Sequence, residues 1–276
     1  MASYLRPGSI EAALQALATR PRTVLAGATD HFPARAVFEP DEDILDITGL
    51  PGLAAITREA DLWRIPALTT WSGLIATPLP PLFDGLKQAA AQVGGRQVQN
   101  AGTLVGNVCN ASPAADGMPN LLALDAEVEL ARAGSTRRIP LDQFVLGPRS
   151  TARAPEELVT ALLIPHREAQ GRFHKLGARR YLVISVTMVA LALAQDTAGR
   201  VTHAAVAVGS CGPVARRLPA LETALLGHVP QPGLVQPAHL APLTPIDDMR
   251  APAAYRQAAT LELLRRALTA PLRAAA

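Results

Sequence analysis

The sequence predicts an α+β fold, and three observations carry that reading. Helical and strand-like segments interleave without a regular βαβ rhythm. The last third joins an apolar, β-branched stretch to a second strand across a short turn and then continues into two helices. The 276 residues are 49% hydrophobic, 4% aromatic and 18% charged, which supplies a normal core for one large domain or two ordinary ones.

Ser9 precedes a stretch with Ile10, Ala13, Leu14 and Leu17 on one face, so it is placed to cap a first helix that Pro21 ends. Thr23 to Ala26 reads as a short buried strand closed by Gly27, and Ile44 to Ile47 as another. Leu53 to Thr57 and Asp61 to Thr70 alternate as a hairpin around Glu59-Ala60-Asp61. Pro81 to Val93 is helical in period, with Leu82, Leu86, Ala89, Ala90 and Val93 aligned, and Gly94-Gly95 stop it. Pro119 suits position N1 of a helix through Leu124, and Glu127 to Ala131 follows as a strand. Thr151 to Arg172, with Pro155 and Pro165, leads towards a boundary. Leu182 to Val189 is expected to be a central strand, Val201 to Val208 its neighbour, and Leu218 to Leu226 and Ala251 to Leu268 helices.

Several function classes drop out early. The net charge of +3 comes from scattered arginine pairs without aromatic interleaving, unlike the concentrated basic face of a nucleic-acid binder. Cys109 and Cys211 are too few for an iron–sulfur cluster needing four thiolates and for a disulfide scaffold. The N-terminus lacks a signal-peptide core, and the longest apolar run, Leu182 to Ala194, is too short to span a bilayer. The expectation is a soluble, cytoplasmic protein.

Three segments suit ligand chemistry. In Leu25-Ala26-Gly27-Ala28-Thr29-Asp30-His31, a strand ends in small residues that let backbone N–H groups approach an anion, although such a turn also occurs without a ligand. Gly94 to Asp116 holds four glycines, three asparagines, Thr103, Ser112 and Asp116 within 23 residues. A connection that long without regular structure is uncommon unless functional or disordered, and the interspersed Val and Leu argue against disorder. It contains neither G-x-x-x-x-G-K-[ST] nor G-x-G-x-x-G, so any phosphate would be held by another scaffold. In Phe173-His174-Lys175-Leu176-Gly177-Ala178-Arg179-Arg180, Lys175 suits a negatively charged cofactor atom, and a solvated basic turn would look the same.

In this order and at these separations the three segments resemble the FAD-binding medium subunit of the xanthine dehydrogenase and carbon monoxide dehydrogenase group of molybdenum hydroxylases. That family's first motif, A-G-G-x-[ST], is similar to Ala26-Gly27-Ala28-Thr29-Asp30. Its second, R-x-x-x-T-x-G-G-[NS]-x-x-x-A-x-P-x-x-D, is matched at Thr103, Gly106, Asn107, Ala111, Pro113 and Asp116. Its third, F-x-K-x-x-x-R-R, is matched at Phe173, Lys175, Arg179 and Arg180. Val206 to Gly209, Leu218 to Glu222, and Pro245 to Asp248 with Tyr255-Arg256 resemble its C-terminal domain, so the likeness spans nearly the whole chain.

The resemblance implies a two-part FAD-binding domain of the PCMH/vanillyl-alcohol-oxidase type over 1–168, split near 55. A smaller α+β domain with an antiparallel sheet and helices then covers 169–276. It implies that Leu25, Ala26, Gly27, Ala28, Thr29, Asp30 and His31 lie along the pyrophosphate of FAD, with Thr103, Gly106, Asn107 and Asn110 beside it. Asp116 would contact the adenosine side, Lys175 would approach the flavin end, and Val159 would pack on the cofactor. It further implies an oxidoreductase subunit active within a complex. A large subunit would carry molybdopterin, a small one [2Fe–2S] clusters, the assembly a dimer of heterotrimers, and FAD here would pass electrons to NAD⁺, O₂ or another acceptor. A non-catalytic nucleotide-binding or assembly module of the same fold, or a free-standing reductase, is the competing reading. Ala28 and Val105 stand where the family has glycine, Val93 where some relatives have an aromatic residue, and His31 replaces an apolar residue.

Overall fold

In the computed structural model, which describes residues 2–34 and 42–269, Ser9 Oγ accepts the Ala12 N–H at 3.2 Å and opens α1 (Ile10–Thr19), which buries Ala13 and Leu17. This helix links β1 (Tyr4–Leu5) to β2 (Thr23–Leu25), and both pair in parallel with β3 (Ile44–Asp46) in the order β1-β3-β2. A hairpin of β4 (Thr57–Glu59) and β5 (Leu62–Pro66) follows, turning at Ala60 with φ +47. Its first strand starts at Thr57, not Leu53.

Next come α2 (Trp71–Ala76), a 3₁₀ turn at Pro81–Phe83, α3 (Asp84–Ala90), α4 (Arg96–Ala101), α5 (Leu104–Cys109) and α6 (Gly117–Ala123). The segment read as one long loop from Gly94 to Asp116 therefore contains two helices. Pro119 is the third residue of α6 and not the first, still within the turn whose N–H groups lack helical partners. The chain continues through β6 (Glu127–Arg132), β7 (Ser135–Pro140), α7 (Leu141–Phe144), β8 (Val145–Gly147), β9 (Ser150–Thr151) and β10 (Leu158–Pro165). Sheet order β4-β5-β10-β6-β7 puts β10 at the centre, with every residue from Leu158 to Ile164 buried. The sequence reading treated this stretch as an approach to a boundary. A strand buried on both faces does not alternate, so its period gives no signal.

The last sheet runs β11 (Gln170–Leu176), β12 (Thr187–Gln195), β13 (Val201–Gly209) and β14 (Arg216–Arg217), all antiparallel. Residues of β12 alternate between two cores. Met188, Ala190 and Ala192 join the core shared with α3, α6 and the central sheet, whereas Val189, Leu191 and Leu193 face α8 (Pro219–Leu225) and α9 (Ala253–Thr269). The central strand expected at Leu182 thus begins at Thr187. Leu182 and Ile184 are exposed, and Leu182 has φ +50. Backbone contact seats α3 on β11: a Cβ on Gly85 would lie 2.7 Å from Arg172 N, and one on Gly171 2.3 Å from Leu82 O. No helix among the described residues is long and apolar enough to cross a membrane.

Candidate cofactor site

One cavity of about 710 Å³, in the size range of small-molecule and cofactor pockets, opens where these sheets meet. Its wall contains Leu25, Ala26, Gly27, Ala28, Thr29, Asp30, His31, Thr103, Gly106, Asn107, Asn110, Asp116, Val159 and Lys175 together. The residues that the resemblance assigns to FAD are thus brought to a single surface, although they come from elements up to 150 positions apart in the chain, whereas the motif residues Phe173, Arg179 and Arg180 are not part of that wall.

The turn after β2 is shaped by contact with the end of α4. A Cβ on Gly27 would lie 2.0 Å from the Ala101 carbonyl oxygen, so only glycine fits there. Ala28 has φ +53, a left-handed backbone that an L-residue with a Cβ adopts at a cost of about 1–2 kcal/mol. His31 Nε2 lies 3.3 Å from Glu42 Oε2, which makes it a partnered histidine.

Thr103 Oγ1 accepts the Gly106 N–H at 2.9 Å, so its hydroxyl caps α5. Val105 is buried in that helix at helical dihedrals, and no left-handed glycine conformation is required at its position. Asn107 Oδ1, on the same helix, is buried and has no hydrogen-bond partner within the chain. Such an acceptor is costly unless a ligand donor meets it. Gly117 faces it closely, since a Cβ there would lie 2.9 Å from the amide oxygen. Gln99, at the position of the motif's arginine, is buried and donates to the carbonyls of Ala91 and Val93 that end the α3 segment.

Asp116 and Lys175 form the charged centre of the wall. Lys175 Nζ donates to Asp116 Oδ2 at 2.6 Å, Ser185 Oγ donates to Oδ1 at 2.6 Å, and both charged side chains are 7% exposed. Burial is the largest influence on Asp116 and raises its pKa, against the lowering by Lys175 and Ser185. The sequence reading set these residues at opposite ends of an elongated ligand. Their direct pairing corrects that: they belong to one place in the cavity. Cys109 also lines the wall, with its thiol pushed up to about 11 by burial.

Reading the sequence missed Ser185, hidden inside an apolar run, and the cavity arginines Arg149 and Arg153. Arg149 occupies the turn between β8 and β9 with φ +59, and the Gly147-Pro148 pair before it was the available turn signal.

Residues 1–167 match the family model described as the FAD binding domain in molybdopterin dehydrogenase. The chain belongs to that family. Residues 172–270 match the CO dehydrogenase flavoprotein C-terminal domain. Among curated relatives, the nicotinate dehydrogenase FAD-subunit of Eubacterium barkeri is 33% identical over 70% of this chain and 67% of its own length. The nicotine 6-hydroxylase medium subunit of Paenarthrobacter nicotinovorans is 28% identical over 96% and 95%. Among solved structures, a chain of carbon monoxide dehydrogenase from Hydrogenophaga pseudoflava superposes with a TM-score of 0.89 at 27% identity, covering 98% of this chain and 96% of that one. These relatives are medium or FAD-binding subunits of oxidoreductases, and the α+β architecture is that of the family. The residues present fit FAD as the cofactor. The cavity is large enough, Gly27 lets the turn after β2 close against Ala101 and so shapes the wall, and the buried Asn107 oxygen calls for a donor such as a ribityl or ribose hydroxyl.

Proposed function

We propose that this chain is the flavoprotein subunit of a molybdenum hydroxylase complex. In this reading it receives electrons from the [2Fe–2S] clusters of a small subunit and delivers them to NAD⁺, O₂ or another acceptor, while a large molybdopterin subunit hydroxylates the substrate. The complex would be a cytoplasmic dimer of heterotrimers. Residues 1–168 would form the FAD-binding domain and 169–276 the C-terminal domain.

The observation that carries the reading is the convergence of Leu25 to His31, the α5 residues, Asp116, Val159 and Lys175 on one cavity. Bound FAD would supply the exchange between one- and two-electron transfer, with the protein supplying position and electrostatics. This chain's residues would orient it: the turn held by Gly27 against Ala101 lines one side, Asn107 accepts a hydroxyl, and Asp116 with Lys175 fixes a polar contact in a buried wall. Cys109 and Cys211 cannot hold a four-thiolate cluster, so the electrons would arrive from outside the chain.

Anaerobic reduction of the purified complex by its hydroxylation substrate tests this. The expected result is flavin bleaching that requires the iron–sulfur subunit and reverses on adding an acceptor. Bleaching that proceeds equally without that subunit would count against it.

A further inference from the structure

The structure assigns Arg256 as a positioning residue for the cofactor wall: from α9 it grips the backbone that presents Ser185 to Asp116. The inference rests on the FAD reading and gives a role to the Pro245 to Asp248 and Tyr255-Arg256 stretches, neither of which lines the cavity.

The start of α9 is built around this side chain. Asp247 Oδ1 accepts the Ala253 N–H at 2.6 Å, and Asp248 Oδ1 accepts those of Arg250 at 2.7 Å and Ala251 at 3.3 Å. The same Asp248 oxygen takes Arg256 Nη2 at 2.5 Å, and the Ala251 carbonyl takes Nε at 3.4 Å. Arg256 is 3% exposed, so its guanidinium depends on partners within the protein. The third nitrogen reaches away from the helix: Nη1 donates to Val186 O at 2.5 Å and to Ser210 O at 3.1 Å.

Both carbonyls belong to segments that are bonded to the cavity wall. The Val186 N–H donates to Leu176 O at 2.7 Å, next to Lys175, and Ser185 donates to Asp116 Oδ1 at 2.6 Å. Ser210, left-handed at φ +62, donates its N–H to Pro113 O at 3.1 Å, between the wall residues Ser112 and Ala114. One guanidinium therefore fixes the entry to β12 and the exit from β13, the two places where these strands meet the wall. A planar fork can hold Asp248, Val186 and Ser210 at once, whereas a lysine offers donors at a single point. One helical turn further on, Thr260 Oγ1 lies 2.6 Å from Thr187 Oγ1 and 3.3 Å from Cys211 Sγ. These partners are as buried as those of Arg256 but do not line the cavity, so Thr260 separates packing from positioning.

The test is FAD titration of the full chain after removal of its flavin, with melting temperatures measured alongside. Arg256→Gln should raise the Kd for FAD about ten-fold and Ser185→Ala about five-fold. Because one acts through the other, the double variant should stay near about ten-fold and not reach the product of about fifty-fold. Arg256→Lys should recover part of the affinity. Thr260→Val should lower the melting temperature and leave the Kd within about two-fold of the original protein. Where Arg256→Gln does not fold, Arg256→Lys and Asp248→Asn carry the test, each expected to raise the Kd about two- to five-fold. An unchanged Kd in the Arg256 variants overturns the inference. So do independent effects of Arg256→Gln and Ser185→Ala that multiply, and so does a Thr260→Val loss of affinity as large as that of Arg256→Gln, which would make Arg256 a packing residue alone. An original chain that takes up no FAD would instead refute the FAD reading, and this inference with it.

Discussion

Lys175 Nζ sits 2.6 Å from Asp116 Oδ2, and this pair ties the end of β11 to the start of α6 inside the cavity wall. Ser185 completes the tie from the loop before β12. The pair is structural as well as a candidate ligand contact, and the two roles separate by mutation. Lys175→Ala leaves a buried carboxylate without its counter-charge, so unfolding free energy should fall by about 3–5 kcal/mol. Adding Asp116→Asn should recover part of it. Denaturant titration of single and double variants checks this. Because burial raises the Asp116 pKa, protonation favours the folded form of Lys175→Ala, and the variant should become relatively less stable as pH rises through that raised value.

Two neighbouring residues in the turn after β2 should respond in opposite ways. Gly27→Ala would drive a Cβ to 2.0 Å from Ala101 O, so the turn must move, and flavin content should drop sharply. Ala28→Gly removes the strain at φ +53 and should stabilise the protein by about 0.5–1 kcal/mol, the rest of the relief being offset by the greater freedom of glycine in the unfolded chain. Melting temperature and flavin absorbance read both; a destabilised Ala28→Gly would show that the left-handed backbone carries no strain.

Much of this was readable beforehand, for identifiable reasons. Ser9 and Pro21 bracket α1 with local signals, and the small residues after Leu25 mark a turn whatever surrounds them. The helices α4 and α5 were not readable because six residues make fewer than two turns, too few for a period to show. Leu182 to Val186 misled because β-branched composition fits a strand, whereas the chain there turns outward at Leu182 and only Val186 returns to bond with Leu176. The Asp116–Lys175 pair joins residues 59 apart and follows from packing alone.

The central sheet carries its own pH response. Arg64 donates to Glu129 Oε1 at 2.5 Å and Oε2 at 2.9 Å, and Thr160 Oγ1 donates to Oε1 at 2.6 Å, linking β5, β6 and β10. The hydrogen bond from Arg64 leads the causes that lower the Glu129 pKa, against burial. A lowered carboxyl pKa contributes stability that is present above the ordinary value of 4.5 and lost as pH falls through the lowered one. Glu129→Gln should cost about 1.5–3 kcal/mol at neutral pH and flatten the acid limb of the stability curve. Melting temperatures between pH 3 and 7, for both proteins, give the comparison, and identical acid limbs would refute it.

The central claim is that this cavity holds FAD, and the flavin released from the purified full chain tests it most directly. The account predicts a yellow protein that gives up stoichiometric FAD on denaturation, identified by chromatography and fluorescence. A colourless chain that rejects added FAD would contradict it.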